Sequence, residues 1–218
     1  LKEFKNLIIT KQFYWKLRHL INPNVWSTYY NDSQSKRRNF YSKFIQQNEL
    51  KVIFEFGCAS GPNLFSIDKN VPWNLSYFGY DISSKAIKFA KKKSQKDSYF
   101  FTSKISPKIV DGQLDNWRIK KFDLAIYDRV LYLLDENEIK KHFENYKDYM
   151  RYIIIDDFHN SKTTEKDDAY YSKNYEMILL KFGFKLKKND PSEHIIGNDD
   201  FFKRNARRLI FEKENKFL

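Results

Sequence analysis

The spacing of apolar residues changes once along the chain, near Lys51. Before that point Phe4, Leu7, Ile8, Tyr14 and Trp15 recur at helical spacing, and Asn22-Pro23-Asn24 breaks the pattern. A second helix is predicted from Ser35 to Gln47, with Phe40, Phe44 and Ile45 on one face. Between them the aromatic stretch from Val25 to Asp32 reads as a loop. From Lys51 onward short apolar runs alternate with helical patterns. Val52 to Phe56, Leu75 to Tyr80, Tyr99 to Phe101, Phe122 to Tyr127 and Tyr152 to Ile155 are the expected strands. Ser84 to Lys93 and Glu136 to Tyr149 are expected helices between them. This alternation predicts an α/β fold, a parallel sheet covered on both faces. The end differs: a helix from Tyr175 to Phe182 stops at Gly183. Phe184 to Lys187 and Arg208 to Glu212 then follow as strands with no helix between them. That suggests an antiparallel addition at one edge. The division is thus a helical segment over 1–48 and a sheet domain over 49–218.

Composition narrows the class. At 218 residues the chain suits one domain with a substantial core. With 41% hydrophobic and 31% charged residues it is expected to be a folded globular protein rather than a disordered one. No run reaches the roughly 18–20 apolar residues of a membrane helix, and Leu1 to Lys11 carries no apolar core of a signal peptide. Neither membrane insertion nor secretion is expected. The single cysteine, Cys58, excludes an intramolecular disulfide and a multi-cysteine zinc site, and suits a reducing, cytoplasmic setting. The net charge of 40 − 28 = +12 raises the question of nucleic acid. The densest basic runs, Lys36 to Arg38, Lys91 to Lys93 and Arg204 to Arg208, are scattered, and are read as solvated faces rather than a nucleic-acid footprint.

Open α/β sheets bind ligands beyond the carboxyl ends of their strands, so the strand ends are where chemistry is expected. The first strand ends in Glu55-Phe56-Gly57-Cys58-Ala59-Ser60-Gly61-Pro62. A dinucleotide fingerprint starting at Gly57 needs glycine at positions 59 and 62 as well, where Ala59 and Pro62 stand. Pro62 also has no N–H to offer a pyrophosphate at a helix start. The loop therefore suits a cofactor without phosphates, and a dehydrogenase is disfavoured. One strand later, Asp81 can accept the two hydroxyls of a ribose, or can cap the helix that follows.

With these residues in hand, the chain resembles the class I S-adenosylmethionine-dependent methyltransferases. The likeness rests on Glu55 to Gly61, on Tyr80-Asp81-Ile82-Ser83, on Asp128-Arg129-Val130-Leu131-Tyr132 and on the late strand pair, and covers roughly 51–213. It implies a Rossmann-like, mostly parallel seven-stranded sheet with an antiparallel last strand, and S-adenosylmethionine as cofactor. It also implies site roles. The backbone of Gly57, Cys58 and Gly61 would face the methionine and ribose, and Glu55 would orient the loop and the amino group. Asp81 would hold the ribose and Ile82 would pack on adenine. Tyr127 and Asp128 would line the methionine side. The family often has an acidic residue at the adenine amine after the third strand; here Thr102 and Ser103 stand there, so Ser103 is the candidate. Tyr29 or Tyr30 would cover the cofactor from the N-terminal segment, with aromatic faces near a sulfonium, and Arg38 would pair with its carboxylate.

For the acceptor side, Asp156-Asp157-Phe158-His159 follows the fifth strand, and Asp156 and His159 are the candidate general-base residues. A metal held by Asp156, Asp157 and His159 is a minor alternative, and no metal is assigned. Cys58 is expected to be a packed residue, and His19, His142 and His194 surface residues. The expected activity is methyl transfer to oxygen or nitrogen of a small molecule such as a sugar or an amine. Its alternatives are an RNA or DNA methyltransferase and a non-catalytic cofactor-binding protein.

Overall fold

The alternation that begins near Lys51 closes into one sheet. The computed structural model describes residues 36–94, 96–162, 166–167, 170–193 and 200–214. Helix α1 (Lys36–Gln47) precedes β1 (Val52–Phe56), α2 (Pro62–Asn70), β2 (Ser76–Tyr80), α3 (Ser84–Lys93) and β3 (Tyr99–Thr102). Then come α4 (Pro107–Trp117), β4 (Phe122–Asp128), a 3-10 turn (Leu131–Leu133), α5 (Glu136–Tyr146) and β5 (Met150–Phe158). A small hairpin of β6 (Lys166–Asp167) and β7 (Tyr170–Tyr171) precedes α6 (Tyr175–Leu180), β8 (Phe184–Pro191), α7 (Asp200–Asn205) and β9 (Ala206–Lys213). The seven-stranded sheet runs β3-β2-β1-β4-β5-β9-β8. Strands β1 to β5 are mutually parallel, and β9 is antiparallel to both neighbours. This is the Rossmann-like sheet that the resemblance implies.

Side chains alternate across the strands with period two, and the two faces have separate cores. Ile53, Leu124, Ile126, Ile154 and Ile210 pack with Tyr41 and Ile45 of α1, Leu64 and Ile67 of α2, and Ile87 and Ala90 of α3. Phe54, Ala125, Tyr127, Ile153 and Ile155 pack with Val110 and Leu114 of α4, Ile139 and Phe143 of α5, and Ile178 and Leu179 of α6. Residues 36–47 of the expected N-terminal segment thus belong to a core layer: Tyr41 and Ile45 are fully buried. Residues 1–35 lie outside the described part.

Three expectations need correction. A helix does stand between the last two strands, α7, followed directly by β9. Helix α4 went unread, although Ser106 caps it by accepting from the Ile109 N–H and Pro107 opens its first turn, a legible start signal. Strand β5 runs on to Phe158, because Asp156 and Asp157 pair in register with Arg208 and Arg207 of β9. Asp156 is therefore inside a strand rather than at its end.

Candidate active site

At the end of β1 the chain turns through three left-handed residues, Gly57 (φ 80°), Ala59 (φ 48°) and Gly61 (φ 83°). A Cβ on Gly57 would lie 2.6 Å from Val130 Cγ2, so sterics and φ both demand glycine. The Gly57 and Cys58 N–H groups donate to the Tyr80 carbonyl at 2.7 and 2.9 Å, and Gly61 N–H donates to the Cys58 carbonyl at 2.9 Å. Gly61 is the N-cap of α2, and Pro62 takes its first turn, where a missing N–H costs no helical bond.

Asp81 secures this loop from the next strand. One carboxylate oxygen accepts the Ala59 N–H at 3.0 Å, the other the Ser83 N–H at 2.8 Å. The cap of α3 is Ser83, which accepts from Ala86 N–H, so Asp81 does not cap the helix by its side chain. Burial pushes the Asp81 carboxyl up to about 6, against the pull of the two N–H groups. Each oxygen keeps a lone pair for a further donor. Ile82 and Ser103 are half-buried beside it, and Asp81 N–H donates to the Thr102 carbonyl at 3.2 Å, which joins the ends of β2 and β3.

Next to the loop lies a buried polar chain on the α1 face. Asn63 of α2 donates to Glu55 at 2.8 Å and to Asp128 at 2.9 Å, and accepts from Arg38 Nε at 3.0 Å. Glu55 also accepts from the Tyr77 hydroxyl, and Asp128 from Arg37. Burial raises the Glu55 carboxyl to about 7, with Tyr77 opposing it. Burial works against the Arg37 charge, yet the carboxylate of Asp128 raises its pKa overall. Arg37 and Arg38 are each 3% exposed, and Arg208 6%. Two of the three basic runs read as solvated faces therefore contain interior arginines; Lys91 to Lys93 are exposed as expected.

The remaining candidates divide. Tyr127 is fully buried on the opposite face from Asp128, its hydroxyl 2.8 Å from His142 Nε2 and 3.5 Å from Met150 Sδ. Adjacent strand residues point apart, so only the backbone of Tyr127 remains for a cofactor. His142, expected at the surface, is buried there, and desolvation lowers its pKa to about 3. His19 and His194, like Tyr29 and Tyr30, lie outside the described residues. Cys58 is buried, and burial, then Asp81 and Glu55, push its thiol well up, which suits packing rather than nucleophilic chemistry.

Asp156 and His159 are not brought together as an acid–base pair. Asp156 faces α1 and accepts from Arg208 Nε at 2.9 Å and from the Ser192 hydroxyl. His159 stacks on Tyr175 of α6, ring centroids 6.2 Å apart, with Nδ1 3.1 Å from the Lys173 carbonyl. Asp157 accepts the Tyr132 and Phe158 N–H groups at 3.1 and 2.8 Å. Among the described residues no group of three His, Cys, Asp or Glu side chains is placed to hold a metal. A groove of about 450 Å³ beside α6, lined by Leu134, Lys173, Met177 and Lys181 among others, includes none of the glycine loop.

A parallel sheet with a glycine loop after β1 and a carboxylate after β2 is an open α/β arrangement, the class in which ligands bind beyond the carboxyl ends of adjacent strands. Residues 47–205 match the family described as methyltransferase domain, and the chain belongs to that family. A comparison with curated proteins finds no match. Among solved structures, the chain is similar to magnesium protoporphyrin IX methyltransferase from Synechocystis PCC 6803, solved with bound SAH. That pair shares 14% identity at TM-score 0.61, over 98% of this chain and 100% of that one. It is also similar to a 1,6-didemethyltoxoflavin-N1-methyltransferase from Burkholderia thailandensis (11% identity, TM-score 0.61, 95% and 92% covered). A third likeness is to plantazolicin methyltransferase, in complex with SAH (16% identity, TM-score 0.59, 98% and 97% covered). Among the described residues no helix is long and apolar enough to cross a membrane.

Proposed function

We propose that this protein transfers a methyl group from S-adenosylmethionine to a small-molecule acceptor. The observation that carries the reading is the left-handed Gly57–Gly61 loop, tied through Ala59 N–H to a buried Asp81 carboxylate with lone pairs to spare. When bound, the cofactor supplies an activated methyl group on a sulfonium. The chain's own residues then bind and align. Asp81 holds the ribose hydroxyls, the backbone of Gly57, Cys58 and Gly61 follows the methionine, and Ile82 and Ser103 border the adenine. Glu55 and Asp128, joined through Asn63, offer carboxylate oxygens to an amino group, while Arg38 offers its guanidinium to a carboxylate. Tyr29 or Tyr30 would cover the cofactor. Alignment of a nucleophile behind the methyl group supplies much of the rate, so a base is optional. The small-molecule reading is supported by the burial of Arg37, Arg38 and Arg208, which removes charge from the surface a nucleic acid would meet.

Calorimetry decides the cofactor. S-adenosylhomocysteine is expected to bind and NADH to give no heat; tight NADH binding with no response to the homocysteine derivative would reject the reading. A second expectation concerns His159, whose pKa burial lowers from the ordinary 6.5. If its neutral imidazole takes the acceptor proton, His159→Ala lowers turnover by roughly 100-fold and leaves cofactor affinity intact. The acid limb of the wild-type rate profile then lies below pH 6.5 and is missing in the variant. Unchanged turnover would remove His159 from the mechanism.

A further inference from the structure

On the α1 face, one row of strand positions carries charge. Asp128 on β4 pairs in register with Asp156 on β5, and Asp156 with Arg208 on β9. Tyr41 of α1 is buried over this row. Burial above all, then Asp128 and Asp156, push its hydroxyl well above the usual range, while Arg37 and Arg208 pull the other way. The hydroxyl is thus a neutral donor at every working pH. The Arg208 guanidinium lies 4.1 Å from the centroid of the Phe40 ring, and its Nε is given to Asp156. Tyr41 Oη and Arg208 Nη2 are buried, and among the described residues neither has a hydrogen-bond partner. Buried donors left without acceptors are rare in folded proteins and ask for an explanation.

We propose that Tyr41 Oη and Arg208 Nη2 form the subsite for a carboxylate of the acceptor, so that the molecule methylated is a small carboxylic acid. The inference rests on the methyl-transfer reading and names its substrate class. A hydroxyl and a guanidinium N–H match the two oxygens of one carboxylate. The neighbouring carboxylates of Asp128 and Asp156, each paired with an arginine, repel a phosphate dianion about twice as strongly as a carboxylate, so the singly charged group is the one favoured. The subsite lies at the carboxyl end of β4 and two residues before that of β5, on the face that also carries Glu55, close to the sheet edge at which open α/β sheets bind ligands. Tyr41 is fully buried, so α1 must shift to admit the ligand.

The test uses the whole protein with methyl-labelled S-adenosylmethionine and a small-molecule cell extract resolved by ion exchange. Label is expected in material retained by an anion exchanger. Amidation of carboxylates in the extract should abolish it, and phosphatase treatment should not. Tyr41→Phe, which removes only the hydroxyl, should raise the KM for that fraction about tenfold while S-adenosylhomocysteine affinity by calorimetry stays within twofold. Arg208→Gln should do more, but it also takes a partner from Asp156, so Tyr41→Phe is decisive. Label confined to neutral or cationic material, label sensitive to phosphatase alone, or a Tyr41→Phe variant equal to wild type would each overturn the proposal. So would absence of label in every fraction while S-adenosylhomocysteine binds. Failure to bind S-adenosylhomocysteine at all would instead reject the methyl-transfer reading.

Discussion

Asp128→Ala is expected to destabilise the protein by about 3–5 kcal/mol, the cost typical of removing one partner from a buried ion pair. The Arg37 guanidinium is held in the interior by that carboxylate, with side chains 4% and 8% exposed. Asn63 donates to the same carboxylate and joins it to Glu55. In a chain of this length each kcal/mol moves the melting temperature by roughly 2–4 °C, so a fall on the order of 10 °C is expected. Replacing both partners by apolar residues, Arg37→Met with Asp128→Leu, removes the uncompensated charge and should recover much of that loss. Differential scanning calorimetry of the wild type and these two variants gives the answer. A single variant melting within about 2 °C of wild type would show that the pair contributes little.

Asp81→Ala is expected to weaken cofactor binding by at least roughly tenfold. Two charge-assisted hydrogen bonds to the ribose contribute about 1.5–3 kcal/mol each, and 1.4 kcal/mol is one decade. The same replacement frees the Ala59 N–H that shapes the loop. Asp81→Asn keeps an oxygen for the Ala59 amide but loses the charge and the acceptor for the Ser83 N–H, so comparing the two variants separates the shape of the loop at Ala59 from ribose binding. The pH dependence follows from the carboxyl at about 6. Only the ionised form accepts both hydroxyls, so affinity should be flat above pH 6 and fall as pH drops below it. Stability runs the other way. The folded carboxyl titrates above its ordinary 3.8, so the folded state binds the proton more tightly. The stabilisation is complete below about pH 3.8 and is lost as pH rises through 6. At neutral pH the buried charge is then a burden of roughly 2–3 kcal/mol. Asp81→Asn removes that burden but sets an amide NH2 against the Ser83 N–H, so the melting temperature of the ligand-free variant should depend less on pH between about 5 and 7.5 than that of the wild type, while its cofactor affinity is weaker. A variant that binds S-adenosylhomocysteine as well as wild type, at any pH, would remove Asp81 from the ribose.

The position of the glycine loop was legible because its signal is local. A strand ending in residues that turn through positive φ, with proline at the next helix start, can be read from a dozen consecutive residues. Asp81 was legible for the same reason, though its grip on the Ala59 amide was not. Arg37 and Arg38 were misread because a run of cations looks solvated, and their burial depends on Asp128 and Asn63, 91 and 25 residues away along the chain. A Lys-Arg-Arg run opening a helix with Tyr41 and Ile45 on its core face held one signal: helical positions one turn before a buried residue share its face. Strand parity held another. Ile126 inward on the α1 face puts Asp128 with it and Tyr127 opposite, a deduction available once the face of one residue is known.

Local sequence set the order of the sheet's strands and most of the helices between them, the switch to an antiparallel edge, and the backbone shape of the glycine loop. These follow from periodicity and from φ preferences that act within a few residues. Which strand neighbours which, and hence which charges meet, was decided only by the tertiary structure. Asp156 meets Arg208 because β9 inserts antiparallel between β5 and β8, across 52 residues of chain. A charge can stay in the interior only where a partner is delivered to it. Local pattern has no term for a partner that arrives on another strand.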